Sequence, residues 1–467
     1  MRINKLFILF SFCFLFSSGI QVFAQTDEDT SVEFDDMDDG DEDDSEPQKR
    51  KKNFNMGYYT LGNGVSFLST TDSYGINLSG YIQTSFQSQM YPEGDKMYSR
   101  FRVRRARLRL NGNALNNKIK YRLGLDMVKG SETDAEGVGA MLSDAWISYQ
   151  PWGNNKLSFA FGQRSTPTDN RELQMNSATL QFTDRSKLSS IFGTIREVGV
   201  FASGTFKISN GSYLRPSLAI TDGDGPIGVD RRYGGLKYGA RLNYLPFGLF
   251  RLAGESRQSD LAYEIKPKLV IGAAYSYNDG VSDRRGGREN GAILYQNADK
   301  MTDLPDLSKL TLDFMFKWQG FSVLGEYVKT WGHVPSSIAY RVRNDGSVSS
   351  DFKIDGVNHI ENYIKNRMMI GSGYNLQAGY MLRKFWSFDV RYTHIMPDEY
   401  SFMNNDLYFN RSDYMDFCIT KYLTKSYAAK VQANFGLAKT NGAIRNPEGE
   451  SVSGWEKSFT ILFQLAF

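Results

Sequence analysis

Residues 100–112 read RFRVRRARLRLNG, and few structures can hold such a stretch. In a β-strand successive side chains point to opposite faces. Ala106, Leu108 and Leu110 then share one face, and Arg105, Arg107 and Arg109 share the other. At roughly 3.3 Å per residue, the three guanidinium groups stand about 6.6 Å apart. In a water-soluble sandwich that charged face is a solvated exterior. In a transmembrane barrel the apolar face meets lipid and the charged face a water-filled bore.

The rest of the chain favours the barrel. From Ile76 onward the period-2 pattern recurs in sixteen segments, near 76–90, 99–113, 118–129, 142–150, 156–164, 196–208, 212–221, 236–247, 267–277, 309–319, 321–331, 372–382, 385–395, 413–423, 426–438 and 457–467. Their apolar faces include Leu157/Phe159/Phe161 and Leu310/Leu312/Phe314/Phe316/Trp318. The connections after segments 2, 4, 6, 10, 12 and 14 are tight, as at Leu115-Asn116-Asn117, Asn210-Gly211 and Gly320. Those after odd-numbered segments are mostly long. A sandwich has no reason to alternate in this way, whereas outer-membrane barrels pair short periplasmic turns with long extracellular loops. Residues 248–266 break the rule, being long where a short turn is due, and packing beneath the barrel is one reading of them. The expected fold is all-β: a 16-stranded antiparallel transmembrane β-barrel with short periplasmic turns, long extracellular loops and one inward-folded constriction loop.

The ends of the chain fit export. Arg2 and Lys5 precede an apolar run from Leu6 to Phe16 and a small-residue site at Val22-Phe23-Ala24, so residues 1–24 read as a signal peptide. Cys13 lacks the small neighbours that lipid attachment needs, and beyond the leader only Cys418 remains. One thiol supports no intramolecular disulfide, zinc site or redox pair. Residues 25–46 hold thirteen acidic side chains and no basic one. Setting aside those thirteen negative charges and the leader's two positive ones takes the net charge from +3 to +14 for residues 47–467. Residues 25–52 are too poor in apolar side chains to offset their ordering entropy, and read as an acidic, disordered periplasmic tail. Its role is either a solvated spacer or a tether, to a basic partner or to the cationic pore mouth. Residues 53–467 form the barrel domain, placed in the outer membrane of a Gram-negative bacterium with outer-membrane lipid around it. Phe467 closes an aromatic strand similar to the signal read by the barrel-assembly machinery.

Strand parity sets the expected bore. Its basic side chains are Arg105, Arg107, Arg109, Arg122, Lys156, Arg164, Lys207, Arg215, Lys237, Arg241, Lys268, Lys317, Arg391 and Lys430. Its acidic ones are Asp126, Asp144, Glu197, Asp313, Glu326, Asp389 and Asp416. Cross-strand pairing accounts for part of this set, and the basic surplus gives the bore a positive potential that concentrates anions. Residues 165–195, long for a loop, are expected to fold inward and bring Arg171, Arg185 and Lys187 into the bore, with Arg196 at the next strand's start. Glu172 and Asp184 partly offset them.

In order along the chain stand Gly62-Asn63-Gly64, Leu78-Ser79-Gly80-Tyr81-Ile82-Gln83, Arg104-Arg105-Ala106-Arg107-Leu108, Asp144-Ala145-Trp146-Ile147, Phe161-Gly162-Gln163, Asp184-Arg185-Ser186, Gly239-Ala240-Arg241 and Tyr244-Leu245-Pro246-Phe247-Gly248. With these motifs, residues 62–467 resemble the phosphate-selective porin O and P family, as a Bacteroidetes-like member. The resemblance implies a homotrimeric anion porin with an arginine ladder on the wall and a constriction set by the inward loop. Arg104 and Arg105 match the ladder pair, although strand parity points only Arg105 inward unless a bulge intervenes. Asp144 matches a wall carboxylate that orients nearby basic groups. The loop carries no lysine before Lys187, whereas phosphate-binding members place lysines at the narrowing. A broader pore for small anions and hydrophilic solutes is therefore the expected function.

Other chemistry is poorly supported. His333, His359 and His394 lack metal-ligand spacing, and Asp222-Gly223-Asp224-Gly225 lacks the later ligands of a calcium loop. No nucleophile-elbow or phosphate-cradling motif occurs, so neither a catalytic role nor a cofactor is expected. Arg284-Arg285-Gly286-Gly287-Arg288 reads as a solvated basic loop. The alternative to a pore is a porin-like barrel that serves as a structural or assembly partner, docking other machinery through its acidic tail.

Overall fold

The computed structural model describes residues 57–69, 74–128, 142–152, 156–209, 211–223, 225, 233–282, 294–343, 346–405 and 410–467. The expected signal peptide, the acidic segment 25–52 and the basic loop 284–288 lie outside these residues. Sixteen antiparallel strands form the wall: β1 (Gly75–Met90), β2 (Met97–Ala114), β3 (Ile119–Asp126), β4 (Leu142–Tyr149), β5 (Leu157–Arg164), β6 (Glu197–Gly204, resumed at Phe206–Ser209), β7 (Ser212–Thr221), β8 (Lys237–Leu245), β9 (Lys268–Asn278), β10 (Asp306–Trp318), β11 (Phe321–His333), β12 (Gly371–Met381), β13 (Trp386–Pro397), β14 (Arg411–Tyr422), β15 (Ala429–Thr440) and β16 (Trp455–Ala466). Each pairs with its neighbour in sequence, and β16 pairs with β1 from Lys457↔Met90 to Ala466↔Tyr81. That last pairing closes the barrel, and no sheet edge is left along the wall.

The alternation explains the wall. Phe459, Phe463, Leu465 and Phe467 of the last strand are exposed on the outside, while Thr460, Leu462 and Gln464 are buried on the inside. Ile76, Leu78, Ile82, Phe101, Val103, Leu123, Ile147, Phe161, Leu242, Ile271, Leu312, Leu376, Val390 and Phe417 continue the outward apolar band. Exposed Trp152, Trp318, Phe321, Tyr380 and Trp386 lie at or near the short-turn end, as an interfacial aromatic girdle should. The turns are built for tightness. Gln319-Gly320 takes positive φ at both residues, the mirror-image two-residue turn that matches strand twist.

Two segments fill the bore. Residues 165–196 fold inward, as expected, carrying α1 (Arg171–Gln174), a 3-10 turn at Ser177–Thr179 and α2 (Lys187–Phe192). The α2 turn is apolar on one side, so Leu188, Ile191 and Phe192 bury against Val328, Met369, Ile395, Met403 and Tyr414. From the opposite end, residues 246–267 also turn inward rather than lying beneath the barrel. Phe250 packs with Met175 of the loop and with Leu245, Val270, Met315 and Leu324 of the wall. Apolar side chains on the inner face of β9–β11 would be wasted in an open channel, and here they seat both segments. Outside the wall, residues 58–68 form a small hairpin paired to the start of β1 (Val65↔Leu78 to Leu68↔Gly75). The long connections 279–305 and 334–370 share an apolar cluster that includes Tyr295, Phe352 and Ile364.

Candidate functional site

The arginine-rich strand owes its geometry to a bulge. Gln83 faces Arg105 and Thr84 faces Val103, so Arg104 is the extra residue. A one-residue insertion shifts strand parity. Arg105, Arg107 and Arg109 face the bore after it, Arg100 and Arg102 face the bore before it, and Arg104 joins them. The bulge named as the alternative to strict parity is therefore present, and it brings Arg104 in beside Arg105. Arg100 and Arg102 were missed for the same reason. Their signal is nonetheless in the sequence: the apolar phase runs on odd positions at Phe101 and Val103, then on even positions at Ala106, Leu108 and Leu110.

Arg104 and Arg105 form a first cluster around the loop's Asp184. Arg104 Nε donates to Asp184 Oδ1 at 2.8 Å, and an Arg105 guanidinium nitrogen lies 4.0 Å from the same oxygen. Burial pushes the Asp184 carboxyl up, but the charges of Arg104 and Arg105 outweigh it and hold the group well below the usual carboxylate range. Arg105 also donates to Gln83 at 2.7 Å and is almost wholly buried. Arg107 donates to Asp126 at 2.8 Å and to the loop's Ser177 at 2.9 Å.

A second cluster surrounds Asp144. Arg196 lies 3.5 Å from its carboxylate, and Ser143 donates to it at 3.1 Å. Arg122 and Arg164 each stack on the inward-facing Trp146, 5.4 Å and 5.3 Å from its ring centre. Arg109 lies over Tyr81 and reaches the loop's Asn176 at 3.3 Å. Gly124 stands beside Asp144, and a Cβ there would come within 2.9 Å of the carboxylate. Three guanidinium groups, Arg109, Arg122 and Arg196, thus gather around one carboxylate, with Arg164 across the Trp146 ring from Arg122. Trp146 was not singled out as a bore residue, although its parity with Asp144 and Ser148 marks it as one.

The far side of the bore differs. Along β8–β15 most of the charged side chains that face inward lie under the two infolded segments. Arg171 of the loop and Arg241 of β8 both reach Asp313, at 2.7 and 2.5 Å. Lys309 donates to the loop's Asp169 at 2.6 Å; burial pushes that carboxyl up, but the charges of Lys309 and Lys237 lower it overall. Lys309 is a bore residue absent from the expected set. Arg391 pairs with Asp416 at 2.8 Å, and Lys430 donates to the Leu180 carbonyl at 2.7 Å. Lys317 donates to the carbonyls of Gly254 and Ser259 in the periplasmic segment.

The expected site residues therefore divide. Arg104, Arg105, Arg107, Arg109, Arg122, Asp144, Arg164 and Arg196 come together on the β2–β6 arc, and Lys187 is exposed beside them, above the Tyr414 ring. Arg171 and Arg241 are tied to Asp313, and Arg185 donates into the loop's own carbonyls at Glu172 and Met175. Arg215 lies toward the short-turn end, paired with Glu255 at 2.5 Å. On the β2–β6 arc, among the described residues, nine arginines (100, 102, 104, 105, 107, 109, 122, 164 and 196) share the bore with Asp126, Asp144 and the loop's Asp184; Glu197 of β6 is paired with Lys237 of β8, and the loop's Asp169 and Glu172 turn to Lys309 and Gln258.

A model of the phosphate-selective porin O and P family matches residues 76–329. No curated protein matches the chain. Among solved structures, the chain is similar to an in-vitro-folded trimer form of the outer membrane protein OmpT of Vibrio cholerae, with 9% identity, 85% of this chain and 100% of that chain covered and a TM-score of 0.46. It is also similar to the outer membrane channel DcaP of Acinetobacter baumannii (12% identity, 85% and 99% covered, TM-score 0.47). A third likeness is OprB of Pseudomonas putida (9% identity, 85% and 94% covered, TM-score 0.47).

Proposed function

We propose, for a chain that belongs to the phosphate-selective porin O and P family and is thereby an outer-membrane porin, that it conducts phosphate-like anions and small hydrophilic solutes by passive diffusion. The observation that carries this reading is the division of charge in the bore. On β8–β15 the inward basic groups are engaged under the infolded segments, by carboxylates (Arg241, Lys309, Arg391) or by backbone carbonyls (Lys317, Lys430), while the guanidinium groups on β2–β6 outnumber the carboxylates beside them. Half-buried Arg104, Arg109, Arg164 and Arg196 keep part of their surface in water there. A cationic wall with a low-dielectric backing draws anions and repels cations. With Lys187 as the loop's only lysine, a broad anion preference suits the site better than tight phosphate binding.

The test is a reversal potential in planar bilayers across a tenfold KCl gradient. A potential on the anion side of zero is expected, moving toward zero when Arg109 and Arg196 are both replaced by Gln. A cation-side potential in the wild-type protein would defeat the reading.

The second reading, a structural or assembly barrel with a closed bore, draws on the meeting of the two infolded segments at Gln258. Absence of any single-channel current would favour it. A homotrimer, a lipid-facing outer band and delivery by the barrel-assembly machinery through Phe467 complete the proposal. The Phe467 backbone exchanges hydrogen bonds with Gly80 at 2.7 and 2.8 Å, which sets this aromatic residue on the closing seam.

A further inference from the structure

The short-turn end of the barrel is strongly cationic. Its connecting turns carry Lys118, Lys156, Arg251, Arg257, Lys266, Arg383, Lys384 and Lys425, eight basic groups against Glu255, Asp260 and Glu264. Those three acids are already engaged. Glu255 pairs with Arg215, Asp260 accepts from the Gly320 amide at 2.8 Å, and Glu264 accepts from the Arg251 amide at 2.6 Å. Four of the described cations, Arg251, Arg257, Lys317 and Lys425, line one pocket between the infolded segment and the β14–β15 turn, with Tyr427 and Leu252. Among the described residues no acidic side chain lines it. Arg251, Leu252 and Lys425 are exposed at its mouth.

The chain enters the barrel beside this pocket. The hairpin turn at Gly62 abuts Ala428, such that a Cβ on Gly62 would stand 2.7 Å from the Ala428 side chain. Ala428 belongs to the same turn as Lys425 and Tyr427. Ten residues separate Glu46 from the start of the described chain at Gly57, and ten residues span at most about 36 Å. The thirteen acids of residues 27–46 are therefore tethered within reach of the pocket. Lys49-Arg50-Lys51-Lys52 can neutralise at most four of them.

We infer that the acidic segment Asp27–Glu46 seats against the chain's own periplasmic pocket, with its carboxylates facing Arg251, Arg257 and Lys425. The periplasmic mouth then carries a tethered polyanion, which competes with small anions for those cations. Such a contact between exposed charges is weakened by salt, because their interaction decays over a Debye length of about 8–10 Å at physiological ionic strength and over a shorter one as salt is added. It needs no conduction, so it stands or falls apart from the transport proposal.

Disulfide trapping in the full chain tests it. Asp38→Cys is combined with Leu252→Cys, which lines the pocket and leaves its four cations intact. A control combines Asp38→Cys with Leu115→Cys on the β2–β3 turn, and the native Cys418 is buried and stays. The Leu252 pair is expected to close at least about tenfold faster than the Leu115 pair, falling to the control rate with Arg251→Glu/Lys425→Glu or in 1 M salt, where the Debye length is about 3 Å. Equal rates for the two pairs would overturn the inference. So would a Leu252 preference that survives charge reversal, or a disulfide that joins two chains rather than closing within one.

Discussion

Gln258 and Glu172 meet through a 2.9 Å hydrogen bond inside the bore, each carried there by a segment entering from opposite ends of the barrel. Gln258 Oε1 also accepts from the Gln181 amide at 2.7 Å, so one side chain fastens two points of the inward loop. Replacing Gln258 with Ala leaves a buried carboxylate oxygen and a buried amide short of a partner, each costing about 1–3 kcal/mol. The expected outcome is a lower unfolding midpoint in denaturant and larger current fluctuations from a loosened loop. Paired unfolding and single-channel records check it, and an unchanged midpoint would remove Gln258 from its role as a strut.

Asp313 holds two guanidinium groups, one from the loop and one from the wall. All three charges are buried, so the balance is lost when the carboxylate goes. Asp313→Ala leaves the buried Arg171 and Arg241 without their shared counter-charge and is expected to cost about 3–5 kcal/mol. Arg171→Met leaves the Arg241–Asp313 pair in place and should cost less. A double-mutant cycle on urea unfolding measures the coupling, and additive effects would show the loop arginine to be a bystander.

The wall of this barrel was legible in the sequence because strand alternation is a local signal. The segments expected at 212–221 and 321–331 are Ser212–Thr221 and Phe321–His333. The bulge at Arg104 was legible too, through the slip in apolar phase between Val103 and Ala106, once both parities are followed. The loop's contacts were not. Arg171 and Asp313 are 142 residues apart, and nothing in the periodicity around either names the other. Residues 246–267 resisted reading for the same reason: their irregular backbone is satisfied by Lys317 and Tyr427, partners fixed only once the barrel has closed. Gly379 on the inner wall marks such an approach, since a Cβ there would stand 2.3 Å from the Gln181 amide nitrogen and 1.9 Å from Asp389. Space left by a glycine is a mark that strand propensity alone reads only as weakness.

The Arg104–Asp184 pair bears on acid behaviour. With its folded pKa depressed, Asp184 contributes stability that is fully present above the unfolded carboxylate value of about 3.9 and is lost only as pH falls toward the lower folded value. Conductance and loop position are therefore expected to be flat from pH 8 down to about pH 4 as far as this pair is concerned. Asp184→Asn removes the carboxylate at every pH and should raise anion selectivity at neutral pH, because Arg104 and Arg105 lose their counter-charge. Reversal potentials at pH 7 and pH 4.5 check this. A titration midpoint between those values that disappears in Asp184→Asn would contradict the depressed pKa.

Asp144 offers the sharpest separation between a wall brace and an ion pathway. It is nearly buried, with Arg196 at 3.5 Å and Arg109 and Arg122 close by. If these arginines served only to brace the wall, Asp144→Asn would lower stability and leave ion preference alone. If they present charge to permeating ions, removing the one carboxylate among them raises the local positive potential. At an effective dielectric near 20, a unit charge at 4 Å is worth about 4 kcal/mol, and water in the bore reduces this strongly. A change of a fewfold in the anion-to-cation permeability ratio is the size to expect. Arg196→Gln should move the ratio the other way, and the double variant should fall between the two. Measured in one lipid and one salt gradient, shifts of the same sign from both single substitutions would rule out a shared electrostatic origin.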